Sequence, residues 1–115
     1  MKLTYKTDGP VDVIVVEADR IDSASAVAFK DAFQTETQSG QRDVVLDLGQ
    51  VAFLDSSGLG AVVGAQKILG KSRNLELANL HDAVAKVMTL TRMDTVFRIH
   101  KDIAEANASH GSSAA

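Results

Sequence analysis

The stretch VDVIVVEA, Val11 to Ala18, places four valines and one isoleucine within eight residues, with Asp12 the only polar break before Glu17. β-Branched side chains on successive residues point to opposite faces of a strand, so both faces must be covered. A one-sided sheet cannot use such a segment. The chain that carries it has to fold as a sheet layered with helices.

The rest of the sequence supplies those layers. Residues 2–7 read as a short edge strand, turned by Asp8, Gly9 and Pro10. After the long strand, Asp22 or Ser23 is expected to cap a helix whose inner side is Ala28, Phe29, Ala32 and Phe33, ending near Gly40. DVVLDL, Asp43 to Leu48, is the next strand, and Gly58 to Lys71 the next helix. NLELANL, Asn74 to Leu80, is a third inner strand with Leu75, Leu77 and Leu80 apolar. Val84, Val87, Met88 and Thr91 then recur at helical spacing. TVFRI, Thr95 to Ile99, reads as the last strand, and Lys101 to Ala106 opens a weak final helix.

Strands that alternate with helices imply right-handed crossovers and a largely parallel sheet, and the opening hairpin adds an antiparallel edge. The expected class is α/β: a single domain with a mixed, mostly parallel sheet of about five strands and three to four helices. Residues 1–106 form that domain. Residues 107–115, ending ASHGSSAA, are small and polar and are expected to be a disordered tail.

Val, Ile, Leu and Phe make up 32 of the 115 residues, well above the roughly 20% below which a core fails. The net charge of −3 gives no reason to expect nucleic acid or an anionic membrane as partner. The longest aliphatic run is Val13 to Val16, far short of the ~20 residues a membrane helix needs, so no membrane insertion is expected. The first residues lack the apolar core of a signal peptide, and the absence of cysteine fits a reducing compartment. The sequence therefore reads as cytoplasmic.

FLDSSGLG, Phe53 to Gly60, is the stretch with chemical content. Open α/β sheets place functional crevices at the carboxyl ends of strands, and this turn follows the strand ending at Leu48. Ser56 or Ser57 can cap the helix that begins there. One cap explains one serine, but not the glycines. Gly58, Gly60, Gly64 and Gly70 fall within thirteen residues, and each interior glycine costs roughly 1 kcal/mol relative to alanine. At about 100° per residue, Leu59, Val62, Val63 and Leu69 form a core stripe, while Gly60, Gly64, Lys67 and Lys71 share an arc of roughly 60°. That second stripe is expected to be a flat surface, cationic at its far end, which another protein's backbone can approach.

VVLDLGQVAFLDSSGLGAVVGAQK, Val44 to Lys67, resembles the signature region of STAS domains, specifically the bacterial anti-sigma factor antagonists. The resemblance covers about residues 10–100 and includes Ile21–Asp22, the DSSGLG element, and AVAKVMTLTRMDTVF. It departs at Asp19 and Arg20, where the family often has glycine, and at Arg92, where it usually has one. The resemblance implies that Ser56 is a phosphorylation site flanked by Asp55 and Ser57. It implies a partner-switching protein that binds a GHKL-type serine kinase acting as anti-sigma factor while Ser56 is unphosphorylated. Phosphorylation releases it, and a PP2C-type phosphatase resets it. The expected partner surface is Asp22, Ser23, Asp55, Ser56, Ser57, Gly58, Gly60, Gly64, Lys67 and Lys71. An alternative keeps the fold and makes the chain a STAS subunit of a transporter, lipid-trafficking or stress-signalling complex, and those often lack the phosphorylatable serine.

A small serine hydrolase is the rival class. It needs a nucleophile elbow of the form G-x-S-x-G with a matching histidine. No glycine stands two residues before either serine, and His81, His100 and His110 are scattered and read as surface residues. No phosphate-binding G-x-x-x-x-G-K-[ST] is present, nor a histidine pair at i, i+4 for zinc. No enzyme activity, cofactor or metal is expected.

Overall fold

The computed structural model describes residues 1–111. Strand β1 (Leu3–Asp8) turns through Gly9, at φ 63°, into β2 (Val11–Val16). The two pair antiparallel from Leu3↔Val16 to Asp8↔Val11. Chain order continues with β3 (Arg20–Ile21), α1 (Ala26–Thr37), β4 (Val44–Asp47), β5 (Phe53–Leu54) and α2 (Ser56–Leu69). It closes with β6 (Leu75–Ala78), α3 (Asp82–Leu90), a single 3₁₀ turn (Met93–Thr95), β7 (Ile99–His100) and α4 (Ile103–Ser109).

Five strands make the main sheet in the order β1-β2-β4-β6-β7, parallel from β2 onward. β3 and β5 pair parallel in a sheet of their own, with Arg20 opposite Phe53 and Ile21 opposite Leu54. The α/β class and the mixed five-stranded sheet are as the strand–helix alternation implies. Sequence reading missed the two-residue strands, which are too short to show any periodicity.

The sheet is covered on both faces. One side of β2 and β4 presents Ile14, Val16, Val44 and Leu46 to Phe29, Phe33, Val62, Val84 and Met88 of the first three helices. The other presents Val11, Val13 and Val45, with Ala78 of β6, to Ala106 of α4. The apolar run of β2 thus has a partner for each face. Its one polar residue, Asp12, is buried beside Arg73 at 3.7 Å and accepts a hydrogen bond from the Tyr5 hydroxyl at 3.1 Å.

Four expectations change. α1 starts at Ala26 after Ser25, three residues beyond Asp22, because Asp22 forms a turn of its own; Phe29, Phe33 and Thr37 face inward while Ala28 is exposed. α2 starts at Ser56, with Asp55 and not a serine as its cap. The expected strand Thr95–Ile99 is reduced to Ile99–His100, because the chain closes α3 with a 3₁₀ turn that buries Phe97. At the end of the chain, α4 runs through Ser109, and His110 is held against Glu76 at 2.9 Å. The part of the expected tail at residues 112–115 lies outside the described residues.

Candidate functional site

The DSSG turn is built from Asp55. Its backbone is extended (φ −96°, ψ −173°), and Oδ1 accepts a hydrogen bond from the Gly58 amide at 2.8 Å. This is the N-cap arrangement that satisfies a helix amide otherwise without a partner. Oδ2 accepts from the Ser23 amide at 3.3 Å, 32 positions away. One carboxylate therefore ties the β5–α2 turn to the β3–α1 loop.

Gly58 completes the joint. A Cβ there would lie 1.9 Å from the Ile21 carbonyl oxygen and 2.9 Å from Leu54 Cδ1. The backbones of α2 and β3 approach so closely that only glycine fits. Gly58 is buried, so it supports the site and is not itself available to a partner.

With Asp55 capping, Ser56 and Ser57 fall on the first two helical positions. Both are exposed, and among the described residues neither hydroxyl makes a hydrogen bond. The opening turn of α2 adds backbone amides and the positive end of the helix dipole, an environment suited to an anion. Exposure does not separate the two serines.

Asp22 organises the neighbouring loop. Its Oδ1 accepts from the Ala24 amide at 3.1 Å, the Ser25 amide at 3.2 Å and the Ser25 hydroxyl at 3.1 Å. Arg20 lies 3.5 Å from its Oδ2. Desolvation opposes ionisation, but the bonds from Ser25 and Ala24, with Arg20, prevail and hold this carboxyl below its ordinary value. Ser23 is exposed beside it.

Two residues that sequence reading passed over join this surface. Phe53 is 46% exposed, unusual for a large aromatic side chain, and the Arg20 guanidinium stands 5.2 Å from its ring centre. The available signal was strand alternation: Leu54 points inward, so Phe53 must point out.

The glycine stripe is only partly open. Gly60 has nothing within 4 Å of a virtual Cβ, whereas at Gly64 Lys30 Cδ of α1 stands 3.0 Å away. The aliphatic stem of Lys30 lies over that position. Lys67 is exposed on the last turn of α2, but Lys71 follows Gly70 (φ 80°) and leaves the helix, so the wheel does not place it. The wheel also misjudged the inner stripe: Ala61, Val62, Ala65 and Leu69 are buried, while Leu59 and Val63 are only half-buried.

The histidines are elsewhere. His81 Nε2 is 2.6 Å from the Gly49 carbonyl oxygen, and His100 and His110 both bind Glu76. His100 is buried, a correction to its reading as a surface residue; its burial came from long-range pairing with Glu76. No histidine is hydrogen-bonded to either serine. No helix among the described residues is long and apolar enough to cross a membrane.

Comparison with known proteins places this geometry. An anti-sigma-B factor antagonist of Listeria monocytogenes is 29% identical over 101 residues, 87% of each chain. Anti-sigma-B factor antagonists of Staphylococcus aureus are 28% identical over 65 residues, so the match spans 56% of this chain and only 60% of their length. An anti-sigma-factor antagonist domain protein from Planctomyces limnophilus has a similar fold, with TM-score 0.84 and 22% identity, covering 96% of this chain and 98% of that one. The STAS domain profile itself matches residues 2–106, which takes in the sheet, the Asp55 cap, both serines and most of α4. The chain belongs to the STAS domain family.

Proposed function

We propose that the chain is an anti-sigma factor antagonist that works by partner switching in the cytoplasm. Ser56 is the phosphoacceptor. Unphosphorylated, the protein docks on a GHKL-type serine kinase that serves as anti-sigma factor; phosphorylated, it lets go, and a PP2C-type phosphatase restores it. The observation that carries this reading is the state of the serines. Asp55 takes the capping role, which leaves two hydroxyls exposed and unengaged on a rigid helix start. The names of the Listeria and Staphylococcus relatives support the same class of function. The choice of Ser56 over Ser57 rests on the family position of the first hydroxyl after the aspartate.

The docking surface is Asp22, Ser23, Ser56, Ser57, Gly60 and Lys67, extended by Phe53. Asp55, Gly58 and Gly64 shape it from beneath. Phosphoserine adds about −1.5 to −2 charges. At a docked face that charge has to be desolvated, and a penalty of ~3–4 kcal/mol weakens binding several-hundred-fold.

The test is incubation with the cognate kinase and ATP, followed by phosphopeptide sequencing, beside pull-downs with wild-type and Ser56→Asp baits. Labelling at Ser56, lost in Ser56→Ala, and loss of the kinase from the Ser56→Asp bait are expected. Labelling that survives Ser56→Ala and disappears in Ser57→Ala defeats the assignment.

A further inference from the structure

At the amino end of the parallel strands, away from Ser56, three separate segments converge on one buried carboxylate. Glu76 of β6 is 5% exposed and lies opposite Val45 on the sheet face that α4 covers. His100 Nε2 stands 2.6 Å from its Oε1, and His110 Nε2 stands 2.9 Å from its Oε2. Asp43, just before β4, brings Oδ2 to 3.8 Å from His110 Nδ1, while its Oδ1 accepts the Asn74 amide at 2.8 Å. His100 Nδ1 in turn lies 3.8 Å from Glu105.

A carboxylate this deeply buried needs hydrogen-bonded or charged partners for both oxygens. Among the described residues, the ion-pair partners of Asp43 and Glu76 are imidazoles alone, with no lysine or arginine. A ligand oxygen of Asp43, one of Glu76 and a ring nitrogen of His110 all lie within 4.8 Å of one another. Zinc–ligand bonds of about 2.0–2.2 Å put tetrahedral donor atoms roughly 3.3–3.6 Å apart, a spacing that small side-chain rotations reach from here. The three residues also line a cavity of about 680 Å³, with room for a water to complete the coordination.

We propose that Asp43, Glu76 and His110 bind a divalent transition metal of the zinc class. His100 acts as the outer partner that orients Glu76, and the Asn74 amide does the same for Asp43, the second layer such sites use. An imidazole among the ligands favours zinc or cobalt over magnesium and calcium, which take oxygen. The ion joins the end of α4 to β4 and β6, so its role is to fasten the last helix to the sheet. No spacing along the chain announces the site, because its ligands are 33 and 34 positions apart.

Whole protein stripped with EDTA and then dialysed free of chelator tests this directly. Calorimetric titration with ZnCl₂ and visible spectroscopy with CoCl₂ are expected to give one ion per chain, with the d–d bands of a low-symmetry cobalt site. MgCl₂ is expected to give no binding. His110→Gln and Asp43→Asn are each expected to weaken Zn²⁺ binding by more than tenfold, and His100→Gln by about tenfold or more. Zinc is expected to raise the wild-type melting temperature by on the order of 5 °C. Absence of stoichiometric cobalt bands, or zinc affinity unchanged in both His110→Gln and Asp43→Asn, overturns the proposal. Equal melting curves in zinc and in EDTA also overturn it, and leave a hydrogen-bonded cluster of carboxylates and imidazoles in its place.

Discussion

The carbonyl oxygen of Ile21 lies 1.9 Å from where a Cβ on Gly58 would stand. The obstruction is backbone, so no rotamer change relieves it. Gly58→Ala gains about 1 kcal/mol of helix propensity, but the strand or the helix must then move apart. A net loss of roughly 1–3 kcal/mol is expected, read as a lower urea midpoint. Because Ile21 precedes the Asp22–Ser23 loop, the same variant should bind the kinase more weakly even at temperatures where it is folded. A Gly58→Ala protein as stable as wild type would mean that β3 is not held against α2.

Gly60 is open and Gly64 lies under a flexible lysine, so the two should respond differently to added side chains. Gly60→Ala meets no neighbour and is expected to stabilise the protein by about 0.5–1 kcal/mol. Gly64→Leu displaces only the stem of Lys30, so its cost in overpacking is small and thermal melts should show little change or a gain. Both should obstruct a partner that approaches the helix backbone, so affinity falls while stability holds or rises. Lys67 should contribute a salt-sensitive share of that affinity. Unchanged affinity in stable Gly60→Ala and Gly64→Leu proteins would mean the stripe is idle.

How much of this was written in the chain depends on range. The β-branched run of β2 announced a sheet covered twice, and the glycine density of α2 announced an unusual helix. Local competition was harder to see. Asp55 and Ser56 can both cap, and Asp55 prevails because its second oxygen also reaches Ser23, a contact 32 residues distant. Asp22 looked like a helix cap but folds into a turn with Ser25, which delays α1 to Ala26. His110 read as a surface histidine in an expected disordered tail, and nothing local to Glu76 in its strand pointed to a partner there. Their meeting is a product of topology, which brings α4 back over β6.

Asp22 makes the stability of this loop depend on acid. Its carboxyl titrates below its ordinary value in the folded chain, so the ionised form favours folding. That contribution is complete above the unfolded value of about 3.9 and is lost as pH falls through the lower folded value. Asp22→Asn keeps an oxygen for the Ala24 and Ser25 amides but removes the charge. Wild type should therefore be the more stable at neutral pH, and the two urea midpoints should converge as the solution is acidified into that range. A gap that persists at low pH would assign the effect to hydrogen-bond geometry and not to charge.

Arg92 occupies the left-handed region, at φ 60° and ψ 21°, immediately after α3. That is the position where helices most often end in glycine, because a Cβ there crowds the carbonyl oxygen. Arg92→Gly should raise stability by about 0.5–1 kcal/mol, after allowance for the extra freedom of the unfolded chain. Asn79 shares the conformation at φ 61°, but asparagine tolerates it better, so Asn79→Gly should gain less. Urea melts of the two variants measure the difference directly. A destabilised Arg92→Gly protein would mean that the side chain makes up for the strain.

Phosphorylation at Ser56 should change binding and leave the fold in place. The modified oxygen would sit at the first turn of α2, where unpaired amides and the helix dipole favour an anion by roughly 0.3–1 kcal/mol. Asp55 is adjacent and repels it by a comparable amount at an exposed site in water. Neither effect reaches the sheet, because Asp55 remains occupied by the Gly58 and Ser23 amides. The expected outcome is a melting temperature within a few degrees of the unmodified protein, with amide shifts confined to residues near Ser23, Ser56 and Ser57. Kinase affinity should fall several-hundred-fold in the same sample. Shift changes spread across β2, β4 and β6 would instead mean that the phosphate breaks the Asp55 joint, and that release works through rearrangement of the loop.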